Sequence, residues 1–128
     1  MSVAYVDTSA AMKLVIEEAE SAALAQELVT GDHPLVSSWL LHTEMHCAAG
    51  RRPDTIRIDA ITTVLRRITL ADLIRGDLLA AGGHAPLRAN DAIHLATAVR
   101  LGADEMVTYD QELAQAAEAL GLTVVAPR

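Results

Sequence analysis

Four acids stand apart in this chain because each sits where a folding element begins, ends or turns inward. Asp7 closes the apolar run "VAYVD", Asp110 closes "EMVTYD", and Asp91 opens the helical stretch of "LRANDAIHLATA". Glu44 lies about two turns into "SWLLHTEMHCAAG", among Leu40, Leu41, Met45 and Cys47, where an unpaired charge is costly. Brought to one place, such carboxylates repel one another, a pair at 4 Å costing about 4 kcal/mol at an effective dielectric of 20. A protonation shift or a bound cation relieves that repulsion. An oxygen-only set suits Mg²⁺ or Mn²⁺, which keep several waters and take carboxylates together with a substrate phosphate. The chemistry natural to such a set is attack of water on a phosphodiester.

Each acid also has a structural use open to it. Asp7 can cap a helix starting at Thr8 or Ser9, and Asp110 one starting at Gln111. Asp91 falls in a first helical turn, which the macrodipole favours by about 0.3–1 kcal/mol, behind Asn90 as a ready N-cap. Glu17, Glu18, Glu20, Asp54 and Asp59 read most simply as solvated faces or caps, with Asp54 placed to open a helix. His42 and His46 are spaced i, i+4 but lack the second Glu position of HExxH and a third ligand, so they read as surface or supporting histidines rather than a zinc pair.

The elements that must position these residues alternate. "VAYVD" is a short continuous apolar strand, the pattern of a strand buried on both faces of a parallel sheet. Helical segments at 9–17 and 20–29 follow, then a break at Gly31, Asp32 and Pro34, a strand at about 35–37 and a helix over 38–49. Arg57, Ile61, Val64, Leu65 and Ile68 recur at helical spacing. "ITLAD" at 68–72 is a weak strand, leading into a helix stopped by Gly82 and Gly83. The chain then carries the helix of "LRANDAIHLATA", the strand "EMVTYD", a helix ended by Gly121 and the strand "LTVVA". Strands and helices alternating without hairpin signals predict a three-layer α/β/α fold around a parallel sheet of about five short strands, one domain over 1–128. Ligands of such sheets bind beyond the carboxyl ends of the strands, where strand order reverses. If the strands ending at Asp7 and Asp110 are neighbours there, those acids and Asp91 face one crevice.

Composition narrows the partners. Seventeen acids against ten bases give a formal charge of −7, so nucleic acid is not held by bulk attraction and any role with it is local. With one Trp, two Tyr and no Phe, base stacking is not the main tool. Cys47 is the only cysteine, which excludes an intramolecular disulfide; it is expected as a small buried residue of a reducing compartment. There is no leader pattern and no apolar run long enough for a membrane span, so a cytoplasmic protein is expected.

"YVDTSA", Glu44, "LRANDAIHLATA" and "VTYDQELAQAAEALGL", taken in order over essentially the whole chain, resemble a PIN domain, and within that family the VapC-type toxin ribonucleases of toxin–antitoxin pairs. The resemblance implies a Mg²⁺- or Mn²⁺-dependent endoribonuclease whose active site is Asp7, Glu44, Asp91 and Asp110. Asp7, Asp91 and Asp110 are then the metal positions, and Glu44 holds a water or the metal itself. It further implies a homodimer and an antitoxin whose basic or apolar tail covers the acidic groove. Thr8, Ser9 and Thr108 are candidates to orient the metal-bound carboxylates, although Ser9 is equally a helix cap. For an RNA substrate the bases nearest the acids are Lys13, Arg51, Arg52 and Arg88. Arg88 precedes a helix N-terminus that already favours phosphate, and it is equally placed to pair with an acid. The region between Gly50 and Gly83 has no sharp motif, so the choice of RNA is not legible there.

Two other readings compete. An aspartyl-phosphate phosphatase or a receiver domain would also place an Asp after the first strand. The phosphatase wants an acid two residues on and both want a late Lys; position 9 is Ser and the only lysine is Lys13. A catalytically silent module that docks a basic partner would need the groove but not four intact carboxylates.

Overall fold

The first strand sets the architecture. In β1 (Ala4–Val6) every residue is buried, and successive side chains point to opposite faces of the sheet. Ala4 and Val6 enter one core with Ala10, Ala11, Leu24, Leu41, Met45 and Ile61. Tyr5 enters a second core with Leu95, Ala98, Met106, Leu113 and Ala117. A strand that buries both faces needs helices above and below it, and this places the sheet in the middle of three layers. The structure is a computed structural model and describes residues 2–128.

The remaining elements are α1 (Thr8–Met12), α2 (Ser21–Thr30), β2 (Leu35–Ser38), α3 (Trp39–Arg51), α4 (Ile58–Leu65), β3 (Thr69–Ala71), α5 (Arg75–Ala81), α6 (Ala89–Arg100), β4 (Glu105–Val107), α7 (Gln111–Ala119) and β5 (Thr123–Val125). The five strands run parallel in the order β3-β2-β1-β4-β5. Tyr5 is in register with Val36 on one side and with Met106 on the other. The chain builds outward from β1 through β2 to β3, then returns to lay β4 on the other flank of β1. The reversal of strand order therefore falls between β1 and β4, the two strands followed by Asp7 and Asp110. Gly102 and Gly121, both at positive φ, turn the chain from α6 into β4 and from α7 into β5. No helix among the described residues is long and apolar enough to cross a membrane.

Local details depart from the sequence expectations in instructive ways. The helix expected over 9–17 stops at Met12. Lys13, Leu14 and Val15 then donate to carbonyls three residues back, a tightened run that leads the chain out of the helix. The helix expected from Asp54 begins instead at Ile58 with Arg57 as N-cap, and Asp54 lies in the preceding turn. Asn90 is not the cap of α6: the cap is Arg88, two residues earlier, and Asn90 is already inside the helix.

Candidate active site

Asp7 follows β1 in extended conformation and accepts the Ala10 N–H at 3.0 Å on Oδ1, so the capping role is real. More than a cap surrounds it. Ser9 Oγ donates to Oδ1 at 2.8 Å and lies 3.0 Å from Oδ2, and Thr108 Oγ1 donates to Oδ2 at 2.7 Å. The carboxylate is only 2 % exposed, and burial pushes its carboxyl above the usual range against the pull of those donors. Thr108 Oγ1 also accepts the Asp110 N–H at 3.1 Å, and Ser9 Oγ accepts the Tyr109 N–H at 3.0 Å. These two hydroxyls stitch the end of β1 to the end of β4. Asp110 in turn caps α7, its Oδ1 accepting the Leu113 N–H at 2.9 Å.

Asp91 behaves differently. It is the third residue of α6, yet its carboxylate accepts no hydrogen bond among the described residues and caps nothing. Burial raises its carboxyl most, followed by the charges of Asp110 and Asp7, with Glu44 adding to them against the opposing influence of His94. Asp91 therefore lies in the field of the other three acids. Asp91 is the one of the four left without a hydrogen-bond partner among the described residues.

Glu44 is held from three sides. Thr8 Oγ1 donates to its Oε1 at 2.6 Å, His94 Nε2 lies 2.6 Å from the same oxygen, and Asn90 Nδ2 donates to Oε2 at 3.3 Å. Burial would raise this carboxyl, but the His94, Thr8 and Asn90 contacts together outweigh it and hold it below its ordinary value. Two donors on Oε1 leave Oε2 as the less committed oxygen. His94 is itself 1 % exposed, and its Nδ1 lies 2.7 Å from Tyr5 Oη. Burial pushes the Tyr5 hydroxyl up to about 12, so it stays protonated.

All donors offered by the four acids are oxygens, a set for a hard cation. Among the described residues no three His, Cys, Asp or Glu side chains close round one point tightly enough to hold an ion as they stand.

Of the bases, Arg51 and Arg52 end α3 and line an open groove of about 670 Å³ whose other walls include Thr8, Glu44 and Asn90. Arg88 is exposed at the start of α6 and forms no ion pair among the described residues, so the pairing open to it in the sequence is not made. Lys13 departs from expectation. Its Nζ contacts Glu18 at 3.1 Å and Glu20 at 2.7 Å, so its charge is already compensated within the chain. Cys47 also departs: it is exposed and lines the groove instead of filling a core. His42 packs between Trp39 and His46 along α3, with ring centroids at 5.2 and 4.3 Å.

Sequence reasoning missed Tyr5, Asn90 and His94. The signal for His94 was present, since it is the one imidazole within the apolar run that begins at Ala92, one turn after Asp91. Its partners lie 50 and 89 residues away in the chain, and no local pattern names them.

A sequence model of the PIN domain matches residues 4–119. The chain is 42% identical over 134 residues to Ribonuclease VapC46 of Mycobacterium tuberculosis, covering 99% of each. Its fold is similar to the crystal structure of the M. tuberculosis toxin VapC20, described as cleaving the sarcin-ricin loop, with a TM-score of 0.74, 16% identity and coverage of 97% of this chain and 99% of that one. It is likewise similar to a chain of a toxin–antitoxin complex from Klebsiella pneumoniae, with a TM-score of 0.70, 18% identity and 98% of each chain covered. With four carboxylates gathered where the strand order reverses, and with relatives matched from end to end, the chain belongs to the PIN-domain family.

Proposed function

We propose that the protein is a divalent-metal-dependent endoribonuclease, acting as the toxin of a toxin–antitoxin pair. The observation that carries this reading is the unpartnered Asp91 carboxylate, held in the field of Asp110, Asp7 and Glu44 at the reversal of strand order. Asp7, Asp91 and Asp110 would hold Mg²⁺ or Mn²⁺. Bound there, the metal supplies charge stabilisation to the attacking and leaving oxygens of phosphodiester hydrolysis. Glu44 keeps Oε2 for a water while Thr8 and His94 hold Oε1. Ser9 and Thr108 fix the orientation of Asp7. Arg51, Arg52 and Arg88 are the bases free to take RNA phosphates beside the site. A net charge of −7 makes these local contacts necessary, and it equally favours a small antitoxin with a basic tail. A single domain over 1–128, working as a homodimer in the cytoplasm, completes the reading.

The test is direct. Purified protein freed of antitoxin should cut single-stranded or structured RNA in Mg²⁺ or Mn²⁺, and EDTA should stop it. Equal cleavage in EDTA would remove the metal mechanism. Binding of a basic peptide without any metal-dependent cleavage would favour the silent docking module.

A further inference from the structure

We propose that His94 is a positioning residue that aims the Glu44 carboxylate, and that Tyr5 in turn aims His94. The inference rests on the ribonuclease reading only for what Glu44 serves. With Ser38 behind them, these groups make a line of four from the core to the groove: Ser38 Oγ lies 3.2 Å from Tyr5 Oη, Tyr5 Oη 2.7 Å from His94 Nδ1, and His94 Nε2 2.6 Å from Glu44 Oε1. Two lone pairs cannot face each other at that distance, so one proton lies between them, and it belongs to the imidazole because Oε1 also accepts the Thr8 hydroxyl and its carboxyl is held in the ionised form. Nε2–H therefore donates to Oε1, leaving Nδ1 to the Tyr5 hydroxyl. Each member is fixed by something rigid. Tyr5 lies on the central strand and is wholly buried, Ser38 caps α3 by accepting the Leu40 N–H, and the His94 ring packs edge-on to Tyr5 with centroids 5.6 Å apart.

The line spans four elements, β2, β1, α6 and α3, and ends on the one acid of the four that lies beyond the first turn of its helix. Asp7 and Asp110 have backbone N–H groups to orient them, as helix caps do. Glu44 sits on a longer, more flexible side chain in mid-helix, with no backbone donor to fix it. His94 supplies what the backbone cannot at that position. Partners of this kind behind a working carboxylate typically affect activity by about 10 to 100-fold.

The experiment compares His94→Leu, His94→Gln and Tyr5→Phe with the unaltered protein, all checked by thermal melting. His94→Leu should lower the RNA cleavage rate about 10 to 100-fold. His94→Gln, whose amide N–H can reach the place of Nε2, should recover most of that loss, and Tyr5→Phe should lose less than His94→Leu. Independently of activity, the ¹⁵N shifts of the His94 ring in metal-free protein should show Nε2 protonated. Gln no better than Leu in folded protein, or a proton on Nδ1 alone, would overturn the proposal. Absence of cleavage by the unaltered protein in both Mg²⁺ and Mn²⁺ would instead remove the ribonuclease reading. The ring-nitrogen measurement would still decide whether His94 holds Glu44.

Discussion

The two ends of α6 carry opposite solutions to the same problem. At its last turn, Arg100 grips the buried Asp77 of α5, with Nε at 2.7 Å from Oδ1 and Nη2 at 3.0 Å from Oδ2, while a second contact reaches the Asp72 carbonyl at 2.9 Å. Asp77 Oδ2 also accepts the Ile74 N–H at 3.1 Å. Burial alone would raise the Asp77 carboxyl, but the guanidinium and the Ile74 N–H outweigh it and hold it low. At the first turn, Asp91 has neither a base nor a backbone donor, and its carboxyl is raised. The satisfied charge ties α5 to α6 and serves the fold, whereas the unsatisfied one does nothing for the fold and is the carboxylate that the proposed function assigns to a metal. The same helix thus anchors itself at one end and offers the site at the other.

The sharpest way to break this contrast is at the open end. Asp91→Asn and Glu44→Gln should each lower RNA cleavage by about 10²–10⁴-fold, the range for groups that handle the reacting water or its proton. Asp91→Asn should leave the melting temperature unchanged or raised, since it removes a repelled charge. An Asp91→Asn protein that cuts RNA at the normal rate would show that this acid only decorates a helix start. At the closed end the pattern inverts. Asp77→Asn should cost about 2 kcal/mol of stability through the lost charge-assisted hydrogen bonds, with cleavage preserved below the melting temperature.

The pH dependences of the two ends have opposite signs. Asp77 is held low, so its contribution is complete above the ordinary carboxylate value and is lost as pH falls through the lowered folded value. Asp91 is raised, so the folded state holds the extra proton and stability falls as pH rises from the ordinary value through the raised one. Denaturant midpoints measured across acid pH in the metal-free protein should show Asp77→Asn flattening the acid-side loss. Asp91→Asn should flatten the decline toward neutrality, and the same sign for both would end the comparison. The smallest expected effect lies among the bases. In a cleavage-dead background, Arg88→Ala should reduce the salt slope of RNA binding by about 0.7 in log K against log salt. Lys13→Ala should leave the slope unchanged because Glu18 and Glu20 already hold that ammonium.

The sheet and its acids were legible because they are written locally. Apolar runs ending in acid, glycines between periodic segments and strand–helix alternation all act over a few residues, and they named β1 and β4, while the reversal between the two was open until the strand order was seen. Contacts that join distant parts of the chain left weaker marks. Asn90 carries the local signature of a cap, but α6 begins before it and its amide serves Glu44 instead. Lys13 looked available because its partners, Glu18 and Glu20, read as a solvated face rather than as a clamp. The helix expected over 9–17 failed for a similar reason: the apolar run continues to Ile16, but Leu14, Val15 and Ile16 pack into the core from a turn.

The hydroxyl stitches between β1 and β4 bear on when, during synthesis, the protein becomes able to act. Thr108 reaches Asp7 across 101 positions, and Ser9 meets the Tyr109 amide across 100. A growing chain that has made β1 to α6 has Asp7, Glu44 and Asp91 but lacks Asp110 and the Thr108 hydroxyl that aims Asp7. Contacts so far apart in sequence close late. A chain interrupted before β4 therefore has neither Asp110 nor the Thr108 hydroxyl that aims Asp7.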